Sequence, residues 1–294
     1  MEVLDALFSK ATHFAKTGSW DASIVIYDEI LNKPKTSTGK KIDAMMSKAR
    51  IAIYRMDIPT LNTLITEAKR LIEIGGDWDR RNRLKVYEAL YLMSVRDVRA
   101  ASILFLECIA TFTCVELCSY KQFVYYALLT SIMSLSRNDL KKKIVDNPHV
   151  ISVIRDIPSM QNLLNSIYNC EYSQFFSALM VVQDEVVLNR HVGPHSQYLV
   201  REYRILAYSQ FLEAYKSVML SSMATAFDVP LILLDEELSK FIAAGRLNAK
   251  IDKVGDIVET SRPDKKNSKY QEVIKKGDTL LNHIQKLVRV IDMK

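Results

Sequence analysis

Hydrophobic residues in the last quarter of the chain change their spacing in a defined order. From Leu231 they recur every three or four residues, which predicts a helix, and Gly245 is placed to end it in a left-handed conformation. The spacing then becomes two, as in a strand, and residues 253–256 supply a turn before a β-branched return strand at 257–260. A short helix-compatible segment, 221–227, precedes this unit. Helix, turn, helix and two-stranded wing together predict a winged helix.

Farther along, apolar positions repeat every seven residues. Residues 268–271 have the Ser-x-x-Gln form of a capping box, which predicts that a helix begins there. The repeat covers about a third of the helix circumference, and its positions are Tyr270, Val273, Ile274, Gly277, Leu280, Leu281, Ile284, Leu287, Val288 and Ile291. A helix of about 25 residues would be about 37 Å long, too long to bury its stripe on one small domain. It either docks on the chain's own helices or meets partner helices, and we favour the second interpretation.

The first 190 residues or so predict stacked helix pairs. An aromatic residue, a turn glycine, a small residue and a second aromatic follow the offsets of a tetratricopeptide turn, at Phe14, Gly18, Trp20, Ser23 and Tyr27. Weaker matches occupy Tyr91, Val95, Ala100 and Leu104, and then Tyr168, Tyr172, Ser177 and Val181. We predict breaks between helices at 33–40, 74–79, 146–148 and 192–195. The fold class is therefore mainly α, a right-handed tetratricopeptide-like helical solenoid followed by a winged helix and a long C-terminal helix.

Composition agrees with a helical, folded chain. The 294 residues are 49% hydrophobic, and only 8 Gly and 7 Pro are available for turns. Residues 1–5 are acidic where a secretory signal would be basic. The longest apolar run, 103–112, contains Glu107 and is far shorter than the roughly 20 residues of a membrane span. We expect neither secretion nor membrane insertion.

Catalytic and metal-binding signatures find little support in the sequence. Cys108, Cys114, Cys118 and Cys170 form no Cys-x-x-Cys pair, so we expect reduced thiols. His191 and His195 lie four apart, but Gly-Pro between them would break the helix needed to present both to a metal. We therefore predict no catalytic residues, no metal and no cofactor.

Charge is concentrated at the C-terminal end. Residues 245–294 carry 12 Lys or Arg and 7 Asp or Glu, whereas residues 1–244 carry 28 and 27. A basic winged helix would ordinarily suggest DNA binding. However, the helix that should enter the major groove carries three acidic residues, 235–237, which phosphates would repel. No nucleic acid is expected, and the lysines are better explained by an acidic protein partner or by plain solubility.

Several long segments resemble one protein family. They are residues 75–87, 238–247, 250–254, 257–260, 262–264 and 274–278, and they are similar to PCI-domain subunits of the 26S proteasome regulatory particle lid. Segment 75–87 resembles the lid members and not their signalosome paralogue. Relatives carry a further helical segment ahead of the part that matches Met1, so its contacts are not transferred to this chain. The resemblance otherwise runs over nearly the whole chain.

That resemblance implies a non-catalytic scaffold in ubiquitin-dependent protein degradation, present in cytoplasm and nucleus. Its implied partners are other PCI subunits of the proteasome lid, with the proteasome ATPase ring nearby. The expected domains are a solenoid at 1–195, the winged-helix part of the PCI domain at 196–262 and a bundle helix at 263–294. Alternatives are a PCI subunit of a signalosome or translation-initiation complex, or a nucleic-acid-binding winged-helix protein.

The residues themselves offer two surfaces for partners. A two-stranded wing leaves an unpaired strand edge, at 249–254 or at 257–260, that a partner strand could extend. The terminal helix offers its apolar stripe to a bundle. The predicted partner-binding residues are Ala249, Lys250, Ile251, Lys253, Val254, Ile257, Glu259, Leu280, Leu281, Ile284, Leu287, Val288 and Ile291.

Overall fold

Helices dominate the chain, as their apolar spacing predicts. The computed structural model describes residues 2–34, 36–260 and 265–292, without the side chains of 2, 265–268 and 290–292. Its contacts divide it into two units, Met1–Leu206 and Ala207–Lys294. The helices up to the end of the first unit are α1 Glu2–Lys16, α2 Trp20–Asn32, α3 Thr38–Arg55, α4 Ile58–Gly75, α5 Trp78–Ser94, α6 Val98–Cys108, α7 Tyr120–Ser134, α8 Arg137–Leu140, α9 Pro148–Ile154, α10 Pro158–Tyr168, α11 Tyr172–Leu188 and α12 Ser196–Glu213. A π-helical turn follows α8 at Lys141–Val145, and a 3₁₀ turn precedes α12 at Gly193–His195.

Helices α1 and α2 form the hairpin that the tetratricopeptide spacing predicts. Gly18 between them has a φ of +82°, a conformation that costs a glycine little. The buried Ser23 hydroxyl donates to the Ala11 carbonyl at 2.8 Å, which only a small side chain permits. Tyr27 packs edge-on against Phe8 at 6.1 Å between ring centroids. The predicted helix pair is confirmed at the level of individual contacts.

Later hairpins reuse the same left-handed turn without glycine. Met56 between α3 and α4, Arg96 between α5 and α6, and Cys170 between α10 and α11 have φ values of 57°, 72° and 62°. In the first two turns the next residue is an aspartate, Asp57 or Asp97, whose carboxylate accepts from the backbone N–H three residues on. The cap offsets part of the backbone strain. The predicted breaks at 33–40, 74–79, 146–148 and 192–195 all contain helix ends.

The loop after α11 connects separate helix pairs of the first unit. The amide nitrogen of Asn189 lies 3.0 Å from the Tyr126 hydroxyl on α7. Arg190 donates to the backbone carbonyl of Tyr54 at the end of α3 and lies over that tyrosine ring. A single short loop therefore contacts helices that are more than sixty residues away in sequence.

His195 completes this connection with both ring nitrogens. Nε2 donates to the Ser94 carbonyl at 2.7 Å, and Nδ1 accepts from Arg96 Nε at 2.9 Å. Because a carbonyl only accepts and a guanidinium only donates, the ring must be the neutral Nε2–H tautomer. Both nitrogens are thereby engaged, and the ring is held by protein groups on each side.

Acidification should weaken the first unit through His191. Burial, with a smaller contribution from the charge of Arg190, lowers the pKa of His191. The unfolded chain therefore binds the proton more readily, and stability falls as the pH drops below about 6.5, the ordinary histidine value. We expect the thermal midpoint to fall less between pH 7.5 and pH 5.5 in His191→Phe, which keeps the edge contact with Tyr126. Circular dichroism measures the thermal midpoints. Equal decreases of the midpoint in the parent chain and in His191→Phe would contradict this assignment.

The second unit contains the predicted winged helix. Its helices are α13 Leu220–Phe227 and α14 Leu231–Ala243, and its strands are β1 Ser217–Met219, β2 Ala249–Asp252 and β3 Ile257–Thr260. Tyr208, Phe211, Phe227 and Phe241 form a cluster of aromatic contacts with centroids 5.0 to 6.3 Å apart. Gly245 has a φ of +67°, as predicted for the residue that ends α14.

Two features of this unit differ from the sequence expectation. The sheet has three strands in the order β1-β3-β2, all antiparallel, because β1 pairs with the return strand of the wing. The terminal helix α15, Lys265–Asp292, begins before the predicted capping box, so Ser268 lies inside its first turn. No helix breaker stands between Lys265 and Ser268, so nothing in that stretch delays helix formation until the capping-box position.

Candidate functional site

Helix α15 presents an apolar stripe without burying it. Every side chain from Lys269 to Arg289 is exposed. The large apolar members of the stripe are between 48% and 67% exposed, and they are Tyr270, Val273, Ile274, Leu280, Leu281, Ile284, Leu287 and Val288. Twenty-eight residues of helix extend about 42 Å. Contiguous apolar surface of this extent is typical of interaction sites, so the stripe is the candidate partner-binding surface.

No described side chain of this helix from Lys269 to Arg289 is buried. Lys275, Lys276 and Asn282 lie on the other side of the helix, so one face remains polar while the other is apolar. Ile291, also predicted to bind partners, has its side chain outside the described residues. Partner helices therefore remain the expected cover for the stripe.

Strand β2 lies at one edge of the sheet. Among the described strands it pairs with β3 alone. Thr260 N donates to Lys216 O and Leu220 N donates to Asp256 O. The even-numbered residues of β3 therefore direct their backbone N–H and C=O groups toward β1. The odd-numbered residues direct their backbone groups toward β2, where Ile257 is opposite Asp252 and Glu259 is opposite Lys250. It follows that Ile251 directs its own N–H and C=O away from β3, toward the open edge.

The return strand is not an open edge. Strand β1 covers it, with Ser217 opposite Glu259 and Met219 opposite Ile257. The prediction that Ile257 and Glu259 lie on a free edge is therefore wrong, because the two-stranded wing was an incomplete description of the sheet. Three residues of strand are too few to show a period of two, so sequence spacing could not reveal β1.

The remaining predicted wing residues have distinct surroundings. Ala249 is buried at 5% exposure and anchors β2, whereas Lys250 is exposed. Lys253 forms an ion pair with Asp235 of α14, and its side chain is still 62% exposed. Val254 at the tip of the wing is 98% exposed. The structure therefore presents Lys250 and Val254 outward and holds Lys253 against α14.

Helix α14 lacks the surface of a DNA-reading helix. All three of its acids are engaged. Asp235 pairs with Lys253, Glu236 pairs with Lys240 at 3.4 Å, and Glu237 accepts from the Tyr208 hydroxyl at 2.8 Å. Its outward face includes Ile232 at 75% exposure and the acidic Glu236. An apolar and acidic face offers phosphates no attraction.

The three buried cysteines lack the properties of nucleophiles. Burial raises the pKa of Cys108 to about 11 and that of Cys118 to about 12, so both remain protonated thiols near neutral pH. Cys114 is also buried, and burial raises its pKa further. Within the described part of the chain, no cluster of three or more His, Cys, Asp or Glu residues could hold a metal ion. Helices long and apolar enough to cross a membrane are likewise absent from that part.

Known proteins match both units of this architecture. A family model described as 26S proteasome subunit RPN7 matches residues 1–143, and the PCI domain model matches residues 167–262. A third model, the RPN7/PSMD6 C-terminal helix of the 26S proteasome regulatory subunit, matches residues 269–291 within α15. The last match coincides with the exposed stripe.

Relatives that match nearly the whole of this chain decide the family. The 26S proteasome non-ATPase regulatory subunit 6 of Oryza sativa subsp. japonica is 45% identical over 99% of this chain and 75% of its own length. The protein of the same name from Dictyostelium discoideum is 44% identical over 99% of this chain and 76% of its own length. The chain belongs to the 26S proteasome non-ATPase regulatory subunit 6 family.

Within that relationship, the proteasomal branch is favoured over the signalosome. COP9 signalosome complex subunit 1 of Arabidopsis thaliana is 28% identical over 52% of this chain and 35% of its own length. The resemblance read from segments such as 75–87 is therefore confirmed. So is the fold class, because a PCI domain and the C-terminal helix of the regulatory subunit 6 family occupy the predicted places. Sequence reasoning missed β1 and the loop bonds of His195, which depend on contacts distant in sequence.

Proposed function

We propose that this chain is a non-catalytic scaffold subunit of the proteasome regulatory particle lid, assembling with other PCI subunits in ubiquitin-dependent protein degradation. The observation that carries this proposal is α15, a helix that exposes a continuous apolar stripe and is matched by the C-terminal helix of the family. A scaffold that contributes one helix to a shared bundle would present such a surface before assembly.

The two surfaces have different tasks in this proposal. The C-terminal part of the stripe, from Leu280 to Ile291, enters a bundle of partner helices. The edge of β2, around Lys250 and Ile251, pairs with a neighbouring PCI subunit by backbone hydrogen bonds. The domains then follow as a solenoid at 1–195, a winged-helix part at 196–262 and a bundle helix at 263–294, with the ATPase ring nearby. The complex acts in cytoplasm and nucleus.

A scaffold without chemistry of its own agrees with the side chains. The buried thiols are protonated, and His195 is held by Arg96 and the Ser94 carbonyl. Catalysis in the complex would then belong to other subunits. The assignment as a non-enzyme is part of the proposal.

Affinity capture of the tagged chain from its own cell extract tests the assignment. We expect mass spectrometry of the complexes retained at moderate salt to identify proteasome lid and ATPase subunits. Recovery of signalosome or initiation-factor subunits would keep the fold and overturn the complex. Recovery of chromatin proteins, with retardation of duplex DNA that falls steeply with salt, would instead support nucleic-acid binding.

A further inference from the structure

A cavity of about 450 Å³ lies between helices α1, α2 and α3 of the first unit. Its apolar lining comes from Ala15, Tyr27 and Ile51, and Trp20 and Tyr54 also line it as partly exposed aromatic rings, 37% and 50% exposed. A volume of this size is typical of sites that accept a small ligand or one or two side chains. None of the roles assigned to α15 or β2 uses it.

Two cations line the cavity and form no ion pair within the described part of the chain. Arg50 of α3 donates from Nη2 to the Ser47 hydroxyl at 3.3 Å, and its buried Nε has no hydrogen-bond partner among the described residues. Lys16 of α1 lines the same cavity and is exposed, and in the described part of the chain it forms no ion pair. A buried donor left unsatisfied is costly, so a ligand acceptor at Arg50 would be favoured.

Among the described residues that line the cavity, the carboxylate is Glu116, and it is already paired. Glu116 accepts hydrogen bonds from Arg83 Nε and Nη2. Burial alone would raise the pKa of Glu116, but the Arg83 bonds and the nearby charge of Arg50 lower it overall, so it is ionised and paired. Glu116 pairs with Arg83, while Arg50 and Lys16 form no ion pair among the described residues. The cavity therefore offers two cations beside an apolar floor, and it complements an anion joined to a large apolar group.

We propose that this cavity binds the C-terminal carboxylate of a partner peptide that ends in a large apolar residue. The carboxylate pairs with Arg50 and Lys16, and the Ser47 hydroxyl lies beside it. The last side chain packs between Trp20 and Tyr54, against Tyr27 and Ile51. Arg50 and Tyr54 are four residues apart on α3, so a cation and a ring share one face of that helix. A chain terminus matches this arrangement because it places a carboxylate and a side chain on the same residue. The proposal is independent of the role of α15.

Fluorescence anisotropy with a defined pair of peptides tests this directly. The probe is the fluorescein-labelled hexapeptide Gly-Ser-Gly-Ser-Leu-Phe with a free carboxylate, and its control is the same peptide as the C-terminal amide. We expect the acid to bind the full chain at least ten-fold more tightly than the amide. Equal affinities, or no binding of the acid at millimolar protein, would overturn the proposal. Tight binding of an amidated peptide with an internal glutamate would also overturn it, because internal acidic sequence would then suffice.

Matched variants locate the site. Arg50→Gln should remove the preference for the acid, and Lys16→Gln should reduce it several-fold. Lys16 is exposed, so its replacement tests the cavity even if Arg50→Gln fails to fold by circular dichroism. Lys143→Gln removes an equal charge from an exposed position outside the cavity and should leave the preference unchanged. Retention of the full preference in Lys16→Gln and a folded Arg50→Gln would place the binding elsewhere and refute the assignment.

Discussion

The double variant Leu281→Asp, Val288→Asp is expected to be excluded from the lid while remaining folded. Both side chains are exposed, 57% and 48%, so replacing them in the isolated chain changes stability by roughly 0.5 kcal/mol or less. In a bundle each would be a buried anchor worth about 2 kcal/mol, and losing both weakens assembly on the order of a thousand-fold. Capture of lid subunits by the tagged variant, compared with the parent chain, measures the loss.

A control with equal added charge separates burial from electrostatics. Thr279 and Asn282 lie on the side of α15 away from the stripe, and both are exposed. Thr279→Asp, Asn282→Asp adds the same two carboxylates and should assemble normally. If this control also fails to assemble, net charge and not the apolar face governs incorporation. If the Leu281, Val288 variant assembles as well as the parent, the bundle proposal is wrong.

Local patterns explain how far the fold could be predicted. Gly18 and Gly245 lie at turns, and glycine is the residue type that predicts a left-handed conformation there. Both residues have a positive φ in the structure. Met56, Arg96 and Cys170 adopt the same conformation without glycine. Nothing in those residue types predicts it, because packing of the flanking helices and the aspartate caps after two of them impose the turn. A following aspartate is the one signal that could have located those two turns.

Longer-range features lay beyond the sequence pattern. Strand β1 exists because Val218 meets Val258, forty residues away in the chain, and three residues carry no detectable period. The missing strand also changed the candidate site, since it closed the edge at 257–260 and left the edge of β2. The stripe on α15 was predicted in full because a seven-residue repeat needs no distant partner to be recognised. Its exposure, however, could be established only by the structure.

Replacing Ile251 by proline is expected to weaken assembly at the β2 edge at least ten-fold. Proline removes the outward N–H and places its ring where a partner strand would approach, but it leaves the bonds of Lys250 and Asp252 to β3 intact. One lost hydrogen bond with its partner acceptor buried costs about 1–3 kcal/mol, and about 1.4 kcal/mol is ten-fold in affinity.

Ile251→Ala is the matched control, because it loses the same partly buried side chain and keeps the N–H. Binding of each variant to a purified neighbouring PCI subunit, measured by titration calorimetry, should show a large loss for proline and a small one for alanine. Equal losses would mean that the side chain, and not the backbone edge, makes the contact. Retained binding in both would remove β2 from the interface and leave α15 as the surface through which the chain assembles.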